Sequence, residues 1–356
     1  MKTYLDKNVY EAALERIAYC FQEFDNVLVA FSGGKDSGVL LNLCYNYADE
    51  HGLLDKLTMY HLDYEAQYQM TTEYVTRTFL EQFPGIRKMW YCVPIKAQSA
   101  CALGEPYWTP WDAAKKKLWV RAMPENPYVV HEGNLDVPFR HGMVDYEFQD
   151  KLSRHFAKKR GTTAVMVGLR ADESLNRYAA VARGKKRRSY EGRKWITQTS
   201  AVTANVYPLY DWRVSDIWTA TARFGFDYNR LYDLLYQAGL TAGQMRVASP
   251  FNDCAQESLK LYKVIDPSNW ARMIGRVNGV NFTGLYGGTT AMGWKTIKLP
   301  PGHTWKSYYE FLLSTMDART AAHYNNILEK SKRYWMQGGT VDPGTADEVL
   351  AAYPLA

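Results

Sequence analysis

The sequence has no apolar run approaching the roughly 20 residues needed to cross a bilayer. Its longest purely apolar stretches are only a few residues, such as Val27 to Phe31, so a membrane span is not expected. Met1 to Asp6 lack the apolar run followed by small residues that marks a secretory signal, which makes a cytoplasmic location the expectation. Cysteine is scarce: five residues, Cys20, Cys44, Cys92, Cys101 and Cys254, odd in number and widely spaced, with no CxxC pair. That pattern excludes a disulfide scaffold and offers no zinc-ligand spacing; buried thiols in a reducing compartment account for it. The seven histidines form no HExxH or HxH pair, so no structural zinc is expected. Internal repeats and low-complexity tracts are also absent.

What is present is globular composition, 47% hydrophobic and 22% charged over 356 residues, enough for one large or two modest domains. The 43 Lys+Arg and 37 Asp+Glu leave a net charge of +6, but they are not evenly spread. Residues 151 to 200 hold 14 basic side chains against three acids, a net +11, and the rest of the chain is at −5. A local basic block on a mildly acidic protein points to an anionic partner.

Tyr10, Leu14, Ile17 and Phe21 make the stripe of an amphipathic helix ending near Asp25-Asn26. A buried strand, Val27 to Ala30, leads into the loop Ser32-Gly33-Gly34-Lys35-Asp36-Ser37. A second helix follows, with Val39, Leu40, Leu43, Cys44 and Tyr47 on one face and Gly52 past its end. The pattern then predicts a strand over Leu57 to Leu62, a helix from about Gln67 to Gln82 and a strand over Lys88 to Val93. Strands alternating with helices at this spacing imply an α/β fold with a doubly wound, mostly parallel sheet, its ligands at the C-terminal strand ends. Between about residues 94 and 145 the periodicity fails. Trp108, Trp111, Trp119 and Tyr128 are mixed with Pro106, Pro110, Pro124, Pro127 and Pro138, and this stretch reads as an insertion forming a lid or partner surface. Regular structure resumes with a helix over Tyr146 to Arg160, a strand over Ala164 to Val167 and a helix starting near Ser215-Asp216 with Gly225 past its end. Beyond Gly239 the pieces are short and glycine-rich. Two domains are therefore expected, 1–239 and 240–356, the second a smaller C-terminal unit.

The loop Ser32 to Ser37 sits between a strand and a helix, so its backbone N–H groups and the helix N-terminus converge on one anion. Ser32 and Ser37 add hydroxyl donors, Lys35 a point charge, and Asp36 orients the loop or helps hold magnesium. It is not a Walker A loop, because GxxxxGK[ST] is absent. Arg170 and Arg177 suit bidentate contacts to phosphate or sulfate, with Asp172 and Glu173 to orient them or bind magnesium. Asp211-Trp212 reads as a core tryptophan beside a carboxylate at a helix start. Arg183, Lys185, Lys186, Arg187 and Arg188 suit a polyphosphate backbone, with Tyr190 or Trp195 to stack on a base; a charged loop closing over a nucleotide accounts for them equally.

The SGGKDS segment after a short apolar strand resembles the PP-loop of the adenine nucleotide alpha-hydrolase superfamily, and the phosphoadenosine phosphosulfate reductase branch in particular. His61 to Glu65 at the second strand end, Gly168 to Ser174 with Arg177, and Pro208 to Trp212 with Asp216 to Trp218 are similar to that branch's later motifs, in order. Asp63 to Tyr68 and the glycine-rich C-terminal region look most like the IbrA-like proteins. The resemblance implies binding of ATP or a related adenine nucleotide with magnesium at Ser32, Gly33, Gly34, Lys35, Asp36, Ser37, Asp63, Glu65, Arg170 and Arg177. Adenine would lie near Leu62-Asp63, with Asp63 or Glu65 close to ribose or metal. It implies cleavage between the alpha and beta phosphates, with Lys35, Asp36, Arg170 and Glu173 catalytic, to activate an acceptor such as a nucleic acid or a partner protein; a ParB-like partner is expected. The ECGLH-like segment of the reductases is missing, as are the paired cysteines of an iron–sulfur cluster, so no cluster is expected. Two alternatives stand beside this reading: a sulfonucleotide reductase with Cys254 as nucleophile, and a non-catalytic, nucleotide-switched nucleic-acid-binding regulator.

Overall fold

Asn8 starts the first helix by accepting hydrogen bonds from the N–H groups of Tyr10 and Glu11, while Glu11 reaches back to the Asn8 N–H, a capping box. This helix, α1 (Val9–Glu23), buries Ile17, Cys20 and Phe21, the face that the sequence periodicity marks. The computed structural model describes residues 6–102, 104–182, 189–292 and 298–338. After α1 come β1 (Asn26–Ala30), α2 (Lys35–Glu50), β2 (Leu57–Leu62), α3 (Gln69–Glu81) and β3 (Arg87–Cys92). Within the insertion, β4 (Ala97–Gln98) and β5 (Tyr107–Trp108) form a small antiparallel pair, and β6 (Val129–His131) joins the main sheet beside β3. Then follow α4 (Asp145–Arg160), β7 (Thr163–Val167), α5 (Leu175–Ala182), β8 (Ser189–Tyr190), β9 (Arg193–Gln198), β10 (Thr203–Val206), α6 (Val214–Phe224) and α7 (Leu231–Gln237). Short helices α8 (Tyr262–Ile265), α9 (Pro267–Arg276) and α10 (Val280–Tyr286) precede α11 (Trp305–Ser314) and α12 (Ala318–Gly338).

The eight strands of the main sheet run in the order β6-β3-β2-β1-β7-β10-β9-β8. The first six are parallel, and β9 and β8 add an antiparallel edge. Alternation along β1 shows why helices must cover both faces. Val27 and Val29 pack with Ile17, Leu40 and Phe79 on one side; Leu28 packs with Phe148, Leu152 and Phe156 of α4 on the other. This is the doubly wound, mostly parallel α/β sheet expected from the sequence. Two pieces of it were not expected: β6, only three residues long and so without a readable alternation, and the β8–β10 strands that follow the basic run.

The chain divides into two compact units, Met1–Met292 and Gly293–Ala356. Residues 240–292 thus pack into the same unit as the sheet. They form a second core in which Phe251, Leu259, Tyr262, Met273 and Val280 meet Tyr68, Trp108, Leu231 and Leu235. The other unit holds α11 and α12. Among the described residues no helix is long and apolar enough to cross a membrane.

Candidate functional site

The chain leaves β1, builds β2 and β3 on one side of it, and returns to build β7 and β10 on the other. At such a reversal the loops after neighbouring strands part, leaving a crevice at the C-terminal strand ends. The segment filling that position is Phe31 to Gly34, which runs directly into α2. Gly33 has φ +76, a left-handed conformation that favours glycine, and a Cβ there would come within 2.9 Å of Val75. The loop is closed from within: the Ser32 N–H donates to Ser37 Oγ at 3.1 Å, the two hydroxyls lie 3.0 Å apart, and Ser37 Oγ donates to the Gly34 carbonyl. The N–H groups of Gly33, Asp36 and Ser37 meet no protein acceptor among the described residues. Gly168, just past β7, lies against this turn; a Cβ on it would be 2.9 Å from the Ser37 nitrogen and 3.0 Å from the Asp36 carbonyl carbon. Only glycine lets the two strand ends approach so closely.

Charge is gathered around the same turn. Asp36 accepts from Lys35 Nζ at 2.9 Å on one oxygen and from Arg170 Nε on the other. Arg170, 3% exposed, also donates to Asp172. Burial alone would disfavour its charged form, but Asp36, Asp172 and Glu173 outweigh that and raise its pKa. Glu173 is held by two arginines, Arg246 at 2.6 Å and Arg177 at 3.0 Å. The structure therefore brings together Ser32 to Ser37, Arg170, Asp172, Glu173 and Arg177. Cys254 is exposed and lies close enough to Arg246 and Arg177 to feel their charge, yet burial of its sulfur dominates and pushes the thiol up.

Asp63 and Glu65 occupy a different setting. Both are fully buried. Asp63 accepts from Trp90 Nε1 at 2.7 Å, the Glu65 N–H at 2.8 Å and Arg121, which reaches both oxygens. Glu65, at φ +62, accepts from the N–H groups of Trp111 and Val120 and makes a two-pronged pair with Arg276 at 2.8 and 3.0 Å. Every oxygen of the two carboxylates has a protein donor, and together they tie the insertion and α9 to the end of β2.

Three residues at the loop escaped the sequence reading. Tyr232 of α7 accepts the Lys35 N–H at 3.1 Å, and its ring lies 5.5 Å from Lys35 Nζ. The fully buried Asn229 donates to the Gly33 carbonyl and to Thr71. Arg246 completes the Glu173 pair. No motif marks them, although an Asn two positions before the apolar Leu231-Tyr232 is a turn signal. Asp211 and Trp212 have structural partners: Asp211 takes two bonds from Arg16, at 2.7 and 2.6 Å, and Trp212 Nε1 donates to Val9. Tyr190 and Trp195 pack on α1, Tyr190 bonded to Glu23 and Trp195 edge-on to Tyr19. Arg183, Lys185, Lys186, Arg187 and Arg188 lie outside the described residues. Among the described residues no three His, Cys, Asp or Glu side chains converge as a metal site would require.

Residues 26–238 match the model of the phosphoadenosine phosphosulfate reductase domain, and residues 239–355 match a domain of unknown function, DUF3440. An uncharacterized protein of Escherichia coli strain K12, YbdN, is 34% identical over 353 residues, covering 98% of this chain and 85% of its own. Among solved structures, a phosphoadenylyl-sulfate reductase of Candida auris in a phosphate complex is similar at 15% identity with a TM-score of 0.35, over 65% of this chain and 93% of that one. FMN adenylyltransferase of Candida glabrata, in complex with FAD and inorganic pyrophosphate, is similar at 14% identity with a TM-score of 0.37, over 65% of this chain and 64% of that one.

Proposed function

The chain belongs to the phosphoadenosine phosphosulfate reductase domain family, and on that premise we propose that it binds an adenine nucleotide such as ATP over the Ser32–Ser37 loop and cleaves it between the alpha and beta phosphates to activate an acceptor. The observation that carries this reading is the set of three unclaimed N–H groups, on Gly33, Asp36 and Ser37, at the N-terminus of α2 with Lys35 and Arg170 beside them. An acceptor attacking the alpha phosphorus drives charge onto the departing pyrophosphate. Donors already fixed in space stabilise that charge more than they stabilise bound substrate, which lowers the barrier. Lys35, nearly buried and held by Asp36, supplies one cation. Arg170, pinned by Asp36 and Asp172, supplies a rigid one, and Glu173 acts as a positioning residue by holding Arg177 and Arg246. With the Asp63 and Glu65 carboxylates engaged, an adenosine near the end of β2 would meet the backbone and neighbouring rings rather than these acids.

Magnesium does not fit Asp36 as arranged here. Each of its oxygens is paired with a cation, and the neighbouring Asp172 carboxylate is itself paired with Arg170. Magnesium often arrives on the phosphates of its nucleotide.

A second reading, sulfonucleotide reduction with Cys254 as nucleophile, rests on the placement of that thiol near Arg246 and Arg177. The dominance of burial over those charges weighs against it, because the thiolate is the reactive form. Nucleic acid as acceptor and a ParB-like partner are further proposals; the basic run 183–188 is where they would be tested. Incubation with magnesium and alpha-labelled ATP, with and without DNA, decides the main reading. AMP or an adenylylated acceptor together with pyrophosphate is expected, whereas ADP and phosphate would overturn it.

A further inference from the structure

At the C-terminal ends of β3 and β6, the insertion borders an open cleft of about 1170 Å³, large enough for a ligand well beyond a single phosphate, since small-molecule sites occupy roughly 300–1,000 Å³. The cavity lies on the sheet edge that carries the Ser32–Ser37 loop. From β1 the order outward is β2, β3, β6, and strands lie about 4.8 Å apart. β3 and β6 thus lie roughly 10–15 Å from β1 across the sheet by that spacing.

Its walls differ from those of the loop. Lys116, Lys117, Arg121 and Arg272 line it, against Glu125 and Glu132. Glu132 is paired with His141, and Arg121 with Asp63. Among the described residues Lys117 and Arg272 have no ion-pair partner, and Lys116 rests only over the Trp119 ring at 5.7 Å. Three uncommitted cations therefore face one uncommitted acid, Glu125. Trp119, Met123 and Pro124 give the same cavity an apolar wall suited to a flat ring. Cations beside an aromatic wall describe a ligand that carries both phosphate and a base. Arg121 and Trp111 belong to this wall and also bond to Asp63, so the cavity and the end of β2 share side chains.

We infer that this cavity receives the acceptor of the reaction proposed above, and that the acceptor is a nucleotide, either free or as the phosphorylated end of a single strand. The inference rests on the nucleotidyl-transfer reading for its role, but binding in the cavity is measurable apart from it. The full chain is first saturated with the non-hydrolysable analogue AMPCPP, which reads the loop. It is then titrated with AMP or with a 5′-phosphorylated tetrathymidylate while tryptophan fluorescence and calorimetric heat are followed. One of these probes is expected to bind the saturated protein and the Lys35→Ala variant alike. Affinity should fall at least about tenfold in the double variant Lys117→Ala/Arg272→Ala, whose exposed positions leave the melting temperature unchanged. AMP binding identifies a free nucleotide, and binding of the oligonucleotide alone identifies a strand end. The inference is overturned if neither probe binds the saturated protein, if the probe is displaced one-for-one by AMPCPP, or if the double variant binds as tightly as the parent. Failure of AMPCPP to bind, with cavity binding intact, would instead count against the nucleotide reading of the loop.

Discussion

Asp36 serves two cations at once, and substitutions there and at its neighbours separate charge from shape. Lys35→Ala removes one of the two cations and is expected to lower nucleotide turnover by roughly 10²-fold or more, the usual cost of losing one aligned stabiliser of developing charge. Asp36→Asn leaves the nearly buried Arg170 with Asp172 as its remaining charged partner. Besides losing activity it should cost stability, by less than the roughly 3–5 kcal/mol of a buried charge left wholly unpaired, measured by urea denaturation. Cys254→Ser should leave turnover intact; loss of activity would revive the reductase reading. Tyr232→Phe is subtler. The lost hydroxyl frees the Lys35 N–H, so pyrophosphate should bind more tightly by calorimetry while the fold loses on the order of 1 kcal/mol. Weaker binding would mean that the hydroxyl itself contacts the ligand.

Among the elements, the end of β2 concentrates the most consequence in the fewest residues. Glu65 collects donors from the insertion and from α9, and Glu65→Gln should lower the melting temperature strongly by leaving Arg276 buried without a counter-charge. Asp63 adds a pH dependence. Burial pushes its carboxyl up, but Arg121, His61 and the hydrogen bonds outweigh burial and hold it below the usual range. A folded-state pKa below the unfolded value, about 4, gives stability that is full above that pH and lost as the pH falls through the folded value. Urea midpoints between pH 7 and pH 3 should fall on the acid side, and the slope should flatten in Asp63→Asn. These pairings also mark where the sequence stops being legible. β1, α2 and β2 are readable because their periodicity is local, and the turn Ser32–Ser37 because glycine and hydroxyl residues have few other uses between a strand and a helix. Nothing local links Glu65 to Arg276, 211 positions away, or Glu173 to Arg246. Acids that look open in a motif are therefore closed by partners that only the fold supplies.

For the molecule as a whole, the family match ends at 238 while the compact unit ends at 292. A chain ending at 292 should fold and melt cooperatively. One ending at 238 loses Phe251, Tyr262 and Met273 from the second core and Arg276 from Glu65, and should be aggregated or partly unfolded by circular dichroism and gel filtration. The Glu65–Arg276 pair also sets a clock. At roughly 5–20 residues per second, the ribosome needs on the order of 10–40 s after making Glu65 to make the arginine that neutralises it. For that interval the end of β2 carries a carboxylate destined for a dry interior and still without its counter-ion. This edge of the nascent protein can therefore complete its native ion pairing only once Arg276 has been made.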